Sequence, residues 1–230
     1  MAVNVVRDVD NRVAIRNALV SVSDKSGLET LIPGLLERIP ELHFYSTGGT
    51  YTALLKILGA RAATHLTPVS DYTGQPETQG GLVKTLDYKI YLGLLTETYN
   101  EHHQGDLQRT GALPIDLIVV NLYPFAATVA REGVTAEEAR ANIDIGGPTM
   151  VRAAAKNYLR VASVVDPADY PQLLQQLSDG KGALTLAQRF SYAAKAFAHT
   201  AQYDAAIANY LVKQNPAVVA GVYCHRDESR

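Results

Sequence analysis

The chain has 230 residues, 47% hydrophobic and 19% charged, with a formal net charge of -2. That is ample for one generous globular domain, and the charge gives no global pull toward nucleic acid, so an anionic ligand would have to be met locally. The single cysteine, Cys224, excludes an intrachain disulfide and a cysteine-built zinc cluster and suits a reducing cytosol.

Arg7, Asp8, Asp10 and Arg12 break the N-terminal apolar runs, so no signal peptide is read. Residues 15–22 (IRNALVSV) predict a buried strand. Leu28, Leu31, Ile32, Leu35 and Leu36 then recur at helical spacing, with Ser26 or Asp24 as candidate N-cap and Pro33 inside the run. A strand over 42–45 runs into Ser46-Thr-Gly-Gly-Thr50 and a helix over 51–58. Residues 62–69 are a weaker strand candidate, 70–86 read as loop, and helical propensity returns over 88–98. His102, His103, Gln104 and Gly105 read as an exposed polar loop before the best strand, 115–121.

The most apolar stretch, 115–130, is broken by Asn121 and Pro124 and is too short to cross a bilayer; a cytoplasmic protein without membrane contact is expected. Thr135 with Glu138 three residues on predicts a capped helix over 135–141. Beyond it lie a strand over 161–165, a helix opened by Asp166-Pro167, and an alanine-rich helix over 185–213. Strands alternating with helices call for an α/β fold, a parallel sheet covered on both faces. Residues 14–178 form its expected body and 179–213 a helical extension packed on it, joined at Asp179-Gly-Lys-Gly. Segments 1–13 and 214–230 are terminal.

Ligands of open parallel sheets bind beyond the C-terminal ends of the strands. Those ends carry Ser21-Val-Ser-Asp-Lys25, Ser46-Thr-Gly-Gly-Thr50 and Asn121-Leu-Tyr-Pro. Thr47, Gly48, Gly49 and Thr50 offer hydroxyls and approachable N–H groups at a helix start, which suits a phosphate, and Ser23 and Lys25 add a hydroxyl and a cation. One such loop alone is as often a plain turn; two at neighbouring strand ends favour a phosphorylated small molecule. Neither GxxxxGK[ST] nor GxGxxG is present. Asp144-Ile-Gly-Gly-Pro-Thr leads into a helix ending at Lys156, with Pro148 suited to the first helical position. Lys84, Tyr123, Asp144 and Lys156 are candidate proton-transfer groups, provided burial and neighbours shift them toward neutrality. The six histidines show no ligand spacing, and no metal or other cofactor is implied.

Six stretches in order, Ser21-Val-Ser-Asp-Lys25, Ser46-Thr-Gly-Gly-Thr50, Val83-Lys-Thr-Leu86, Asn121-Leu-Tyr-Pro-Phe125, Asp144-Ile-Gly-Gly-Pro-Thr149 and Ala154-Ala-Lys-Asn157, make the chain resemble a known family over about residues 14–211. It is the inosine monophosphate (IMP) cyclohydrolase domain of the bifunctional AICAR transformylase/IMP cyclohydrolase of purine biosynthesis. The resemblance implies a methylglyoxal-synthase-like three-layer fold, with a mostly parallel sheet of about five strands and a helical C-terminal tail. It also implies closure of the purine ring of 5-formamidoimidazole-4-carboxamide ribotide (FAICAR) to IMP and water.

Carried over by position, Ser23, Lys25, Thr47, Gly48, Gly49, Thr50, Lys84 and Thr85 would hold the ribose phosphate. Asn121, Tyr123, Asp144 and Lys156 would surround the base, and Asp24, Ile145 and Gly146 are further substrate-binding positions. The family usually reads Gly-Arg-Val-Lys-Thr-Leu-His-Pro where this chain has Gly81-Leu82 and Asp87-Tyr88, and Tyr91 stands where a second histidine is common. Leu82 removes an expected phosphate cation and Asp87 places an anion nearby, so another cation or weaker binding is expected. The family's formyltransferase domain has no counterpart here, so FAICAR would come from a separate formyltransferase; a homodimer is a further expectation. The alternatives are a non-catalytic purine-nucleotide sensor of the same fold and, more weakly, a methylglyoxal synthase.

Overall fold

The computed structural model describes residues 5–75, 78, 83–224 and 226. Leu82 and the question of its missing cation, together with His225, lie outside the described residues. The first half of the chain forms β1 (Arg12–Ala14), β2 (Asn17–Val22), α1 (Leu28–Arg38), β3 (His43–Ser46), α2 (Gly48–Leu58), α3 (Ala62–His65), β4 (Leu66–Pro68) and α4 (Val69–Thr73). Then come α5 (Tyr88–Leu95), α6 (Glu101–Thr110), β5 (Leu117–Asn121), α7 (Phe125–Val129), α8 (Ala136–Ala141) and α9 (Gly146–Lys156). The chain closes with β6 (Ala162–Val164), α10 (Tyr170–Asp179), β7 (Ala183–Thr185), α11 (Leu186–Leu211) and α12 (Pro216–Ala220).

Five parallel strands lie in the order β4-β3-β2-β5-β6. The chain builds outward from β2 through β3 to β4, then returns to add β5 and β6 on the other side. The reversal falls between β2 and β5, where ligands of such sheets bind. The register sets Val22 level with Asn121, so these two strands end together.

Side chains alternate between the two faces, as strand geometry requires. Ala18, Val20 and Val22 join Leu28, Leu35, Leu54 and Leu173 in a core under α1, α2 and α10. Leu19, Ile118 and Val120 join Ile90, Leu94, Met150, Val151, Ala193 and Ala196 under α5, α9 and α11. Burial on both faces explains why the strands read as continuous apolar runs. The result is the expected three-layer α/β/α arrangement.

α11 is a structural part of this body, since its small Ala193 and Ala196 let it lie close to α9 and β6. The joint before it is a tight turn with Lys181 (φ 52°) and Gly182 (φ 81°) in the left-handed region. The turn delivers β7 to pair antiparallel with β1, a two-stranded sheet absent from the sequence reading. Arg189 seals this junction. Its guanidinium, fully buried, donates to the carbonyls of Asp10, Asn11, Tyr158, Leu159 and Leu184.

Several local expectations are corrected. Residues 102–105 lie in helix α6, where the Asn100 side chain accepts from the His103 N–H at 3.2 Å and Gly111 (φ 64°) ends the helix. Its one buried residue is Leu107, so no apolar period announced it. Residues 62–65 are helical, and β4 is confined to 66–68. The N-cap of α1 is Gly27, at φ 76°, rather than Ser26 or Asp24. Pro148 is the third residue of α9, still within the first turn, where its missing N–H costs no helical bond. The capping box at Thr135 and Glu138 is formed as read.

Candidate functional site

The C-terminal ends of β2, β3 and β5 and the start of α9 enclose a cleft of about 440 Å3. One wall is the start of α2. Gly48 adopts φ 46°, a left-handed conformation that turns the backbone sharply from β3 into the helix. No side chain caps this helix start, because the Thr47 hydroxyl is bonded to Ser21 Oγ at 3.0 Å. The leading N–H groups of α2 and its positive dipole end therefore face the cleft, an arrangement suited to an anion. The bare Cα of Gly48 leaves room for Lys84 Nζ, and that of Gly49 for Lys25 Nζ: a methyl group there would stand 3.5 Å and 3.8 Å from them. Two cations thus flank one helix start.

Buried Thr50 ties the two loops together. Its hydroxyl accepts from the Val22 N–H and donates to the Val22 carbonyl, both at 3.0 Å. Asn121, at the end of β5, does the same for the β2 loop. Its Oδ1 accepts from the N–H groups of Ser23 (2.7 Å) and Asp24 (2.9 Å), and its Nδ2 donates to the Asp24 carbonyl at 2.8 Å.

At the start of α9, Asp144 accepts from the Gly147 N–H at 3.0 Å. Burial pushes the Asp144 carboxyl above its ordinary value, opposed by the backbone N–H groups of Gly147 and Tyr123. The glycines here are steric requirements. A side chain at Gly147 would strike Asp144 Oδ2 and Leu122, and one at Gly146 would strike the Thr85 hydroxyl. Tyr123 and Ile145, 52% and 59% exposed, form part of the rim.

Of the residues singled out in the sequence, Ser23, Lys25, Thr47, Gly48, Gly49, Thr50, Lys84, Thr85, Asn121, Tyr123, Asp144, Ile145 and Gly146 all line this one cleft. Two do not. Asp24 lines a neighbouring cavity beyond the ends of β5 and β6, and its carboxylate accepts from the Ser26 N–H at 2.9 Å. Lys156 is exposed at the opposite end of α9, about 15 Å of helix rise from Gly146. Asn121 lines the cleft, but its amide is committed to the β2 loop.

Asp87 does not present its carboxylate as a free anion. It is 5% exposed and caps α5 by accepting from the Lys89 N–H at 2.8 Å. Tyr91 is packed against the α9 side of the core, its hydroxyl pushed up to about 12 by burial. Ala141, Ile143 and Met150 complete the lining, and only a known fold could have pointed to them, since apolar wall residues carry no sequence signal. Among the described residues no cluster of His, Cys, Asp or Glu could hold a metal ion.

Residues 35–149, half of the chain, match the model of the MGS-like domain. The chain belongs to the MGS-like family. Residues 154–228 match a second model, described as AICARFT/IMPCHase bienzyme. The crystal structure of ForH superposes with a TM-score of 0.69 at 32% sequence identity, covering 85% of this chain and 98% of ForH. The MGS-like match includes the cleft residues from Thr47 to Gly147, whereas those of β2 and its loop precede it, and the bienzyme match spans the end of α9 together with α10 and α11. No helix among the described residues is long and apolar enough to cross a membrane.

Proposed function

We propose that the chain is an IMP cyclohydrolase, closing the purine ring of FAICAR to give IMP and water. The observation that carries this reading is a single cleft holding an uncapped helix start flanked by Lys25 and Lys84 together with the half-buried carboxylate of Asp144. The first group suits the ribose phosphate; the second suits proton transfer at the ring. The match of residues 154–228 to the AICARFT/IMPCHase bienzyme model supports the same assignment.

In this reaction the carboxamide nitrogen attacks the formyl carbon, a C–N bond forms, and the formyl oxygen becomes an oxyanion. One proton leaves the carboxamide nitrogen and one the formamido nitrogen; both end on that oxygen, which departs as water when the C–O bond breaks. The reacting groups sit on adjacent ring carbons, so holding the formyl group toward the amide supplies part of the acceleration. Lys84 and the Gly146 N–H offer charge and a donor for the oxyanion, and Asp144 with Tyr123 relays the protons. Lys156 takes no part within this chain's own cleft.

The test is direct. Purified protein mixed with FAICAR should form IMP, followed by chromatography, well above the uncatalysed rate. Tight IMP binding without turnover would instead identify a nucleotide-binding module.

A further inference from the structure

Asp144 is held from behind by the long helix α11. Its backbone N–H donates to the Tyr203 hydroxyl at 2.7 Å, and that hydroxyl points its own proton at the Asn142 carbonyl, 3.5 Å away. Tyr203 is 9% exposed and does not line the cleft. Its ring meets Phe125 edge-on at 6.3 Å, and Phe125 meets Tyr210 edge-on at 5.8 Å. With Leu122, Ala139 and Ile143 these rings form a third, small core under the start of α9. The cleft floor next to Asp144 thus rests on α11, which the sequence reading treated as an extension.

We propose that Tyr203 is a positioning residue for Asp144: its hydroxyl pins the 142–144 turn so that the carboxylate stays half-buried against the Gly147 N–H. The effect on turnover rests on the cyclohydrolase reading; the positioning itself does not, because it can be measured without substrate. The polar groups facing Asp144 are the backbone N–H groups of Tyr123 and Gly147 on its own side and the Tyr203 hydroxyl from α11, with Asp204 acting on Tyr203 rather than on Asp144. Lys25 and Lys84 are the cations of the same cleft. None of the others holds the Asp144 backbone.

Tyr203→Phe keeps the ring against Phe125 but leaves the Asp144 N–H unpaired, so the turn opens to water. Carbon-13 titration of the Asp144 carboxyl in the full chain should then show its midpoint falling toward that of an ordinary carboxylate, with Tm shifted by no more than a few degrees. In turnover, kcat should drop about tenfold or more while IMP affinity stays within about twofold. Tyr210→Phe removes a hydroxyl from the same aromatic cluster without touching the turn, and should change neither. Identical Asp144 titration in wild type and Tyr203→Phe would overturn the proposal. So would loss of the fold in Tyr203→Phe alone, since the residue would then act through stability. A wild-type protein inactive on FAICAR would remove the cyclohydrolase reading and leave the titration to decide the positioning.

Discussion

The side-chain amide of Asn121 grips the backbone of Asp24 from both sides, accepting from its N–H at 2.9 Å and donating to its carbonyl at 2.8 Å. The residues are 97 positions apart, yet this clasp fixes the loop that presents Lys25 to the cleft. Asn121→Ala should therefore act as a phosphate-binding mutant without having touched the phosphate. Calorimetry should show IMP affinity reduced about tenfold, consistent with the loss of three hydrogen bonds that order a loop. Unchanged affinity would mean that the loop holds its shape without the clasp.

Lys25→Ala and Asp144→Ala should separate cleanly in kinetics. On the cyclohydrolase reading the first removes a charge that holds bound substrate, raising KM and weakening IMP binding. The second removes a group acting in the transition state, lowering kcat by a hundredfold or more with affinity nearly intact. Lys156→Ala should keep turnover within a few fold, because α9 carries that side chain away from the cleft. A large kcat loss in Lys156→Ala would show that the residue reaches a cleft from a second copy of the chain.

The buried carboxylate of Asp144 has a cost that depends on pH. Its folded-state titration lies above the unfolded value, so its contribution to stability is fully present below the unfolded value and is lost as pH rises through the folded one. Asp144→Asn should thus raise Tm at pH 7 by roughly 1 to 3 °C, with the gain shrinking as pH falls toward 4. A variant whose Tm difference is the same at both pH values would show that the carboxylate is not strained by burial.

Arg189 offers a stability test far from the site. Burial pulls its guanidinium down to about 10, still charged at neutral pH, and five carbonyls satisfy it. Arg189→Leu would orphan those carbonyls and cost about 3 kcal/mol or more, lowering Tm by roughly 6 to 12 °C. Lysine should not rescue it, because an ammonium cannot span the fork of acceptors. Thermal denaturation of both variants checks this.

The parallel sheet and most of the cleft were legible because their signals are local. Apolar runs such as 117–121 mark buried strands, and Thr-Gly-Gly-Thr marks an approachable helix start. Much of what escaped was set by partners distant in sequence. β1 and β7 are three residues each and exist through one another and through Arg189. α6 buries a single leucine, so its helix rests on caps rather than on a stripe. Asn121 read as a base contact because the motif gave its position but not its hydrogen bonds. The reach of Lys156 could not be judged until the direction of α9 was known. Asp87 looked like a charge beside the phosphate, and its spacing to Lys89 could equally have been read as a helix cap.

The clasp and the Thr50 bridge also bear on how the protein acquires its site. The cleft takes residues from 21–25, 47–50, 84–85, 121–123 and 141–150, so it is incomplete until β5 has docked beside β2. Closing a loop of that length carries an entropic charge that no earlier contact offsets. A nascent chain halted before β5 would have both candidate phosphate loops but neither the Asn121 clasp nor the Asp144 wall of the cleft. If the cleft takes a nucleotide as proposed, that ligand binds the completed sheet alone, drawing the folding equilibrium forward by mass action. A cell rich in purine nucleotide would hold more of this chain in its finished form.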